Sequence, residues 1–425
     1  MRCYTSQSKG GSSREPLTGT LNSSTIFFKS LFGAGVLSLP HAFATVGLPL
    51  AMTVYIFICM LCCGTVWLLL MAKQYAVELG AREQLTFQDL ATFLVGPKAG
   101  AVVAMVICLC ELCFCSGFII VTLDNFGQAE PGVSREVAVL VLTPILIMLG
   151  QIKWLPELCI FSFLGALIYG VGVIGCSISY GIQNWTPPPH SFEFKWGGLS
   201  SFVGTATYAL EGICLVLPVE RSMARKEQAV SMSVWCLLLY GFVTLAYSSV
   251  AYSAGLGRAD CPIVTDCFDN GSAAYTLRIG LCIALILSHP VTLFPASEIM
   301  ENLLMSWSAN ERASGKSSEL TTLLMVEEEE KDVEPRKFKF GKALRVFNVC
   351  LTLVVGYLFK DFSSFSNIIG AIGLTLVGFV FPPILYLKAT KRNNVTVGLG
   401  IKVTIFGCFF LAAFNLLFVG FEAVV

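Results

Sequence analysis

Residues 27–43 read FFKSLFGAGVLSLPHAF, and residues 204–220 read GTATYALEGICLVLPVE. Both are apolar stretches interrupted where a purely structural membrane helix would carry Leu, Ile, Val or Ala. The first holds Gly33 and Gly35 with Pro40 behind them; the second holds Gly204, Gly212 and Pro218, with an acidic residue, Glu211, at its centre. Each closes on the same Leu-x-Leu-Pro pattern, at 37–40 and 215–218. Small residues also serve close helix packing in membrane bundles. Breaks at corresponding places in two halves of a chain point further, to inverted repeats whose first helices unwind at the midplane around a binding site. An unpaired backbone group in lipid costs several kcal/mol, so unwinding survives only where a ligand, ion or water satisfies it.

The surrounding sequence fits that reading. Of 425 residues, 55% are hydrophobic and 13% charged, more apolar surface than one water-soluble core can hide. Roughly 20 apolar residues cross the hydrocarbon as a helix. Eleven spans are predicted, at 25–45, 48–72, 99–123, 135–152, 156–181, 199–219, 230–256, 274–297, 341–360, 364–387 and 397–421. The expected fold is therefore all-α and membrane-integral, an inverted five-helix repeat with helices 1 and 6 broken. Repeat one is 25–181, repeat two 199–387, and 397–421 is an extra helix. Residues 1–24 are expected to form a polar, disordered cytosolic tail without the apolar core of a cleaved signal peptide, and 300–340 a hydrophilic cytosolic loop insertion.

Lys and Arg concentrate in the N-terminal tail, at Lys73, Arg82, Lys98 and Lys153, at Arg221, Arg225 and Lys226, in 300–340, and at Lys388, Lys391 and Arg392. The opposite loops hold only Arg135, Lys195, Arg258 and Lys360. By the positive-inside rule the N-terminus is cytosolic and Val425 is not. Candidate glycosylation sites at Asn184 and Asn270 fall outside on this reading, whereas two further sequons, at Asn22 and Asn394, fall inside. Most of the 17 cysteines lie in apolar runs and behave as small hydrophobes. Cys261 and Cys267 share a polar loop and are a candidate disulfide. Glu319, Leu323 and Leu324 form an acidic dileucine pattern on the cytosolic side, a candidate signal for a sorting adaptor that tilts the location toward a vacuolar or lysosomal membrane over the plasma membrane.

Half-helix N-termini after Gly35 and Gly212 suit a carboxylate, and unwound carbonyls suit an ammonium or a cation. A zwitterionic amino acid satisfies both. Four stretches make the likeness specific: KSLFGAGVLSLPHAF (29–43), TYALEGICLVLPVE (207–220), SHPVTLFPASEIMEN (288–302) and FSNIIGAIGLTLVGFVFPPILYL (365–387). Together they resemble the amino acid/auxin permease family, in particular its proton-coupled and vacuolar amino acid transporter branch. The resemblance implies secondary transport of amino acids, with substrate contacts at Gly33, Ala34, Gly35, Val36, Tyr208, Ala209 and Glu211. It also implies proton coupling, because Lys29 stands where sodium-coupled relatives are expected to carry Asn; the same lysine could instead snorkel to the interface. Glu111 stands where the family prefers Gln.

Charges retained at membrane depth cost at least about 2.5–3.5 kcal/mol on insertion scales. Arg278 and Lys402 lie near span ends and are expected to snorkel. Glu111, Glu211 and His289 are coupling candidates alongside Lys29, with hydrogen-bonded structural roles as the alternative for Glu211 and His289. No HExxH pair, nucleophile–base pattern or Walker loop occurs in the sequence. The chain is thus read as a non-enzyme without metal, cofactor or nucleic-acid partner. Sodium symport and an amino-acid sensor signalling through 300–340 are the rival functions.

Overall fold

The computed structural model describes residues 19–151, 165, 168–183, 192–258, 261–268, 271–313 and 334–422. Among these, every regular element is a helix. In chain order they are α1 (Thr20–Ser30), α2 (Gly35–Val46), α3 (Leu48–Glu78), α4 (Phe87–Leu94), α5 (Pro97–Ala129) and α6 (Arg135–Gly150). A π-helical turn, Ile168–Ile174, leads into α7 (Gly175–Gln183). Next come α8 (Leu199–Ala209), α9 (Ile213–Ser222), α10 (Ala229–Ser253), α11 (Ser272–Ala313) and α12 (Glu334–Leu358). α13 (Phe362–Ile369) runs through two π-helical turns, Gly370–Leu374 and Leu376–Val380, into α14 (Phe381–Arg392); α15 (Leu399–Glu422) follows.

Among the described residues, eight helical stretches are long and apolar enough to cross a membrane. The eleven predicted spans exceed that number for three local reasons. The first is split into α1 and α2, each too short alone; α6 has only 16 residues; and 156–181 is described only from its second half. α5 packs along α11 at the centre, and α3 packs against α10 and α14. Large apolar side chains such as Leu140, Met148, Trp235, Phe242, Phe406 and Leu417 point outward, the arrangement lipid rewards and water penalises.

Several sequence boundaries shift. The helix predicted to end at 297 continues to Ala313, and helix resumes at Glu334, so the 300–340 insertion is helical at both ends. No Gly or Pro interrupts 301–313, which lets the helix run on. The link between the second and third spans holds α4, whose capping box is closed by Thr86 and Asp89. Near this end Lys226 Nζ lies 2.9 Å from Glu83 Oε2 and holds that exposed carboxyl below the usual carboxylate range.

Arg278 corrects the snorkelling expectation. It is 3% exposed, and its Nη2 donates to the carbonyls of Thr265 (3.2 Å) and Phe268 (3.0 Å). The loop folded over it supplies acceptors, so the guanidinium has no need to reach the interface.

Candidate functional site

The first break lies between Ser30 and Gly35. Ala34 occupies the N-cap of α2 without a side-chain cap, so the amides opening α2 face the break unsupported by any side chain. The Gly33 carbonyl accepts the Tyr169 hydroxyl at 2.9 Å. The second break lies between Ala209 and Ile213. There the Ala209 carbonyl accepts the Tyr240 hydroxyl at 2.7 Å, and Glu211 Oε1 accepts the Cys214 amide at 3.2 Å. Each broken helix end therefore has one carbonyl fixed by a tyrosine from another helix, while Glu211 caps the half-helix that follows it.

The two breaks cross at contact distance. A methyl at Gly35 would stand 2.8 Å from Tyr208 Cδ1 and 3.0 Å from Ala209 Cα, and one at Gly212 would run into the Leu31 side chain. Gly35 therefore allows α2 to approach the backbone of α8 directly. Gly33 faces a different neighbour, with the Phe118 ring 3.7 Å from its would-be Cβ.

Three aromatic rings and two carboxyls complete the surroundings. Tyr208 packs on Phe114 and Phe362, with centroids 4.8 and 5.9 Å apart, and its hydroxyl is buried with no partner among the described residues. That hydroxyl fits because position 117 is glycine: an added Cβ would be 2.6 Å from it. Glu111, on α5, is 3% exposed, and its carboxyl and that of Glu211 both lie beside the Cys214 thiol. The two carboxyls that the sequence marks separately thus meet across one cysteine at the second break.

Gly33, Ala34, Gly35, Val36, Tyr208, Ala209 and Glu211 lie in the two crossing segments, and Glu111 joins them. His289 does not. It is 1% exposed among α5, α6, α11 and α12, with Nε2 3.2 Å from Thr352 Oγ1. Its Nδ1 is buried with no partner among the described residues. Lys29 is in the last turn of α1, and its side chain lies outside the described residues, as do Asn184, Asn270, Glu319, Leu323 and Leu324. Cys267 Sγ accepts the Gly257 amide at 3.3 Å, and Cys261 is buried in the same loop.

Sequence reading missed Tyr169, Tyr240 and Cys214. A tyrosine inside an apolar span is a usable signal, because its buried hydroxyl must find an acceptor. It also missed the buried ion pair of Lys73 with Glu220, which ties α3 to α9. Among the described residues no group of three His, Cys, Asp or Glu side chains could hold a metal ion.

The sequence model of the transmembrane amino acid transporter proteins matches residues 17–424. The vacuolar amino acid transporter 3 of Saccharomyces cerevisiae is 24% identical over 398 residues, covering 89% of this chain and 53% of the yeast protein. This chain thus spans about half the length of that relative. Amino acid transporter AVT3A of Arabidopsis thaliana is 24% identical over 415 residues, covering 92% of this chain and 88% of its own length. A crystal structure of MhsT in complex with L-phenylalanine superposes with a TM-score of 0.57 at 12% identity, over 95% of this chain and 99% of that one. At such identity the likeness concerns the helical transporter fold alone.

Proposed function

The chain belongs to the transmembrane amino acid transporter family, a family of membrane carriers and not of enzymes, and on that premise we propose that it is a proton-coupled amino acid transporter. The observation that carries the reading is the crossing of the two breaks at Gly35 and Tyr208–Ala209, beside the Glu111–Cys214–Glu211 cluster. The overall plan is eleven helices in an inverted five-helix repeat, N-terminus in the cytosol, in a vacuolar or lysosomal membrane. The relatives named vacuolar and the dileucine at 319–324 support that location.

Substrate binds between the breaks. Its carboxylate takes amides that open α2 and α9, displacing the Glu211 cap at the latter, and its ammonium takes carbonyls of the unwound segments. Glu211 supplies the coupling by competition. Ionised, it holds the Cys214 amide, at the helix N-terminus that a substrate carboxylate also seeks. Protonated, it loses the charge that made it a strong acceptor and yields that amide to the substrate. Glu111 lies on the other side of the Cys214 thiol.

Uptake of labelled amino acids into proteoliposomes tests this. An inward proton gradient is expected to drive wild-type accumulation, to a concentration ratio of up to several tens for a 100 mV driving force at one proton per solute, since that force supplies about 2.3 kcal/mol. Glu211→Gln should lose the stimulation, while Glu111→Gln, which installs the residue the family prefers there, should keep it. Stimulation by an inward sodium gradient instead would overturn the coupling and leave the amino-acid site standing.

A further inference from the structure

Phe32 lies in the first break, between Leu31 and the Gly33 whose carbonyl takes the Tyr169 hydroxyl. Its ring stands edge-on to Tyr169, with centroids 6.3 Å apart and planes at 62°. It also stands edge-on to Tyr240, at 5.1 Å and 87°, and Tyr240 holds the Ala209 carbonyl of the second break at 2.7 Å. Phe28, one turn back on α1, supports Phe32 from its own helix at 5.3 Å and 72°.

The two tyrosines come from different elements, the π-helical turn Ile168–Ile174 and α10, and Phe32 is a ring that both of them touch. Tyr169 is 3% exposed and Tyr240 0%, so neither hydroxyl can exchange its break carbonyl for bulk water. Edge-to-face pairs at these distances are directional, so Phe32 constrains the tilt of each tyrosine ring and with it the aim of each hydroxyl. The other contacts between the breaks are of a different kind. Gly35 against Tyr208 and Ala209, and Leu31 over Gly212, are close packing that stops the segments approaching further. Such packing resists compression, whereas the ring contacts and the hydroxyls orient one break with respect to the other.

We propose that Phe32 is a positioning residue that makes the two breaks one mechanical unit. Any shift of Gly33 carries its chain neighbour Phe32 with it, Phe32 tilts the Tyr240 ring, and the Tyr240 hydroxyl moves relative to the Ala209 carbonyl. In the reverse direction, a shift at Ala209 reaches Gly33 through Tyr240, Phe32 and Tyr169. The amides that open α2 and α9 are thereby set together, so a ligand that engages one half-helix finds the other in place. That use of the link rests on the reading of the chain as an amino acid transporter; the link itself rests on the ring and hydroxyl contacts alone.

Hydrogen–deuterium exchange of the full chain in lipid nanodiscs tests the link without any substrate. Tyr169→Phe and Tyr240→Phe each remove one hydroxyl and keep the ring that packs on Phe32. Either change is expected to quicken exchange about tenfold in both 31–37 and 209–215, although each tyrosine bonds only one of the two breaks. In a Phe32→Leu background the same changes should quicken only the segment whose own carbonyl lost its donor. Phe32→Met, equally ringless but more adaptable in shape, is the second background should the leucine variant not fold. Quickening confined to one segment with Phe32 in place, or spreading to both without it, would overturn the proposal, as would exchange unchanged in both tyrosine variants. Uptake measured in parallel separates this inference from the transporter reading. Each tyrosine variant should raise the KM about tenfold and the double variant no further; a double variant showing the product of the two rises would mean independent breaks. Absence of amino-acid uptake by wild type would overturn the transporter reading and leave the exchange result to decide the link.

Discussion

Replacing Glu220 by alanine is expected to destabilise the protein by about 3–5 kcal/mol, the usual consequence of stranding one member of a buried ion pair. Lys73 is 4% exposed and Glu220 7%, so neither can turn to water when the other is lost. Arg221 and Lys226 lie close enough to Lys73 to repel it, which leaves Glu220 as the compensating charge. The same physics predicts a rescue. Lys73→Met combined with Glu220→Leu removes both charges at similar volume and should return stability to near the wild-type level. Thermal unfolding in detergent measures both: a large drop for the single variant and recovery for the double. A single variant that melts with wild type would show that the pair carries no burden. The pair joins α3 to the half-helix after the second break, so uptake by a rescued double variant would also report whether the charges themselves serve transport.

Gly35→Ala should abolish uptake, whereas Gly33→Ala should fold normally and retain a measurable rate. The contrast comes from what each new methyl meets. At Gly35 it is opposed at 3.0 Å by Ala209 Cα, backbone that cannot rotate aside, and at 2.8 Å by the Tyr208 ring. Prising α2 from α8 misaligns both breaks at once, and overpacking of this kind typically costs about 1–3 kcal/mol. At Gly33 the nearest atom is a Phe118 ring carbon at 3.7 Å, an ordinary contact. Uptake and melting temperature of the two variants decide it; equal behaviour would mean that the close crossing is unimportant to the cycle.

Much of this was legible from residues alone. Gly33, Gly35 and Gly212 with the acidic Glu211 marked both breaks, because breakers in lipid must be repaid by something that satisfies the backbone. What stayed hidden is what depends on long-range contact. Glu111 and Glu211 are 100 residues apart, and nothing in either neighbourhood says that Cys214 joins them. Tyr169 and Tyr240 read as generic aromatics until their hydroxyls are seen on the Gly33 and Ala209 carbonyls. Lys73 counted as an ordinary cytosolic cation, and Arg278 as a snorkelling one, because exposure near a span end cannot be judged without the loop or helix that covers it. His289 drew attention through its convenient side chain, and only the structure shows that Thr352 is the partner of its Nε2.

The central claim, that an amino acid is held where the two breaks cross, is tested most directly by a cryo-EM map of the chain in nanodiscs saturated with the amino acid it transports best. The account predicts density bounded by 33–36 and 208–214, with its carboxylate at the amides opening α2 or α9 and the Glu211 side chain withdrawn from the Cys214 amide. A map at comparable quality with that space empty and ligand density elsewhere, or with Glu211 still capping α9 beside a bound ligand, would contradict it.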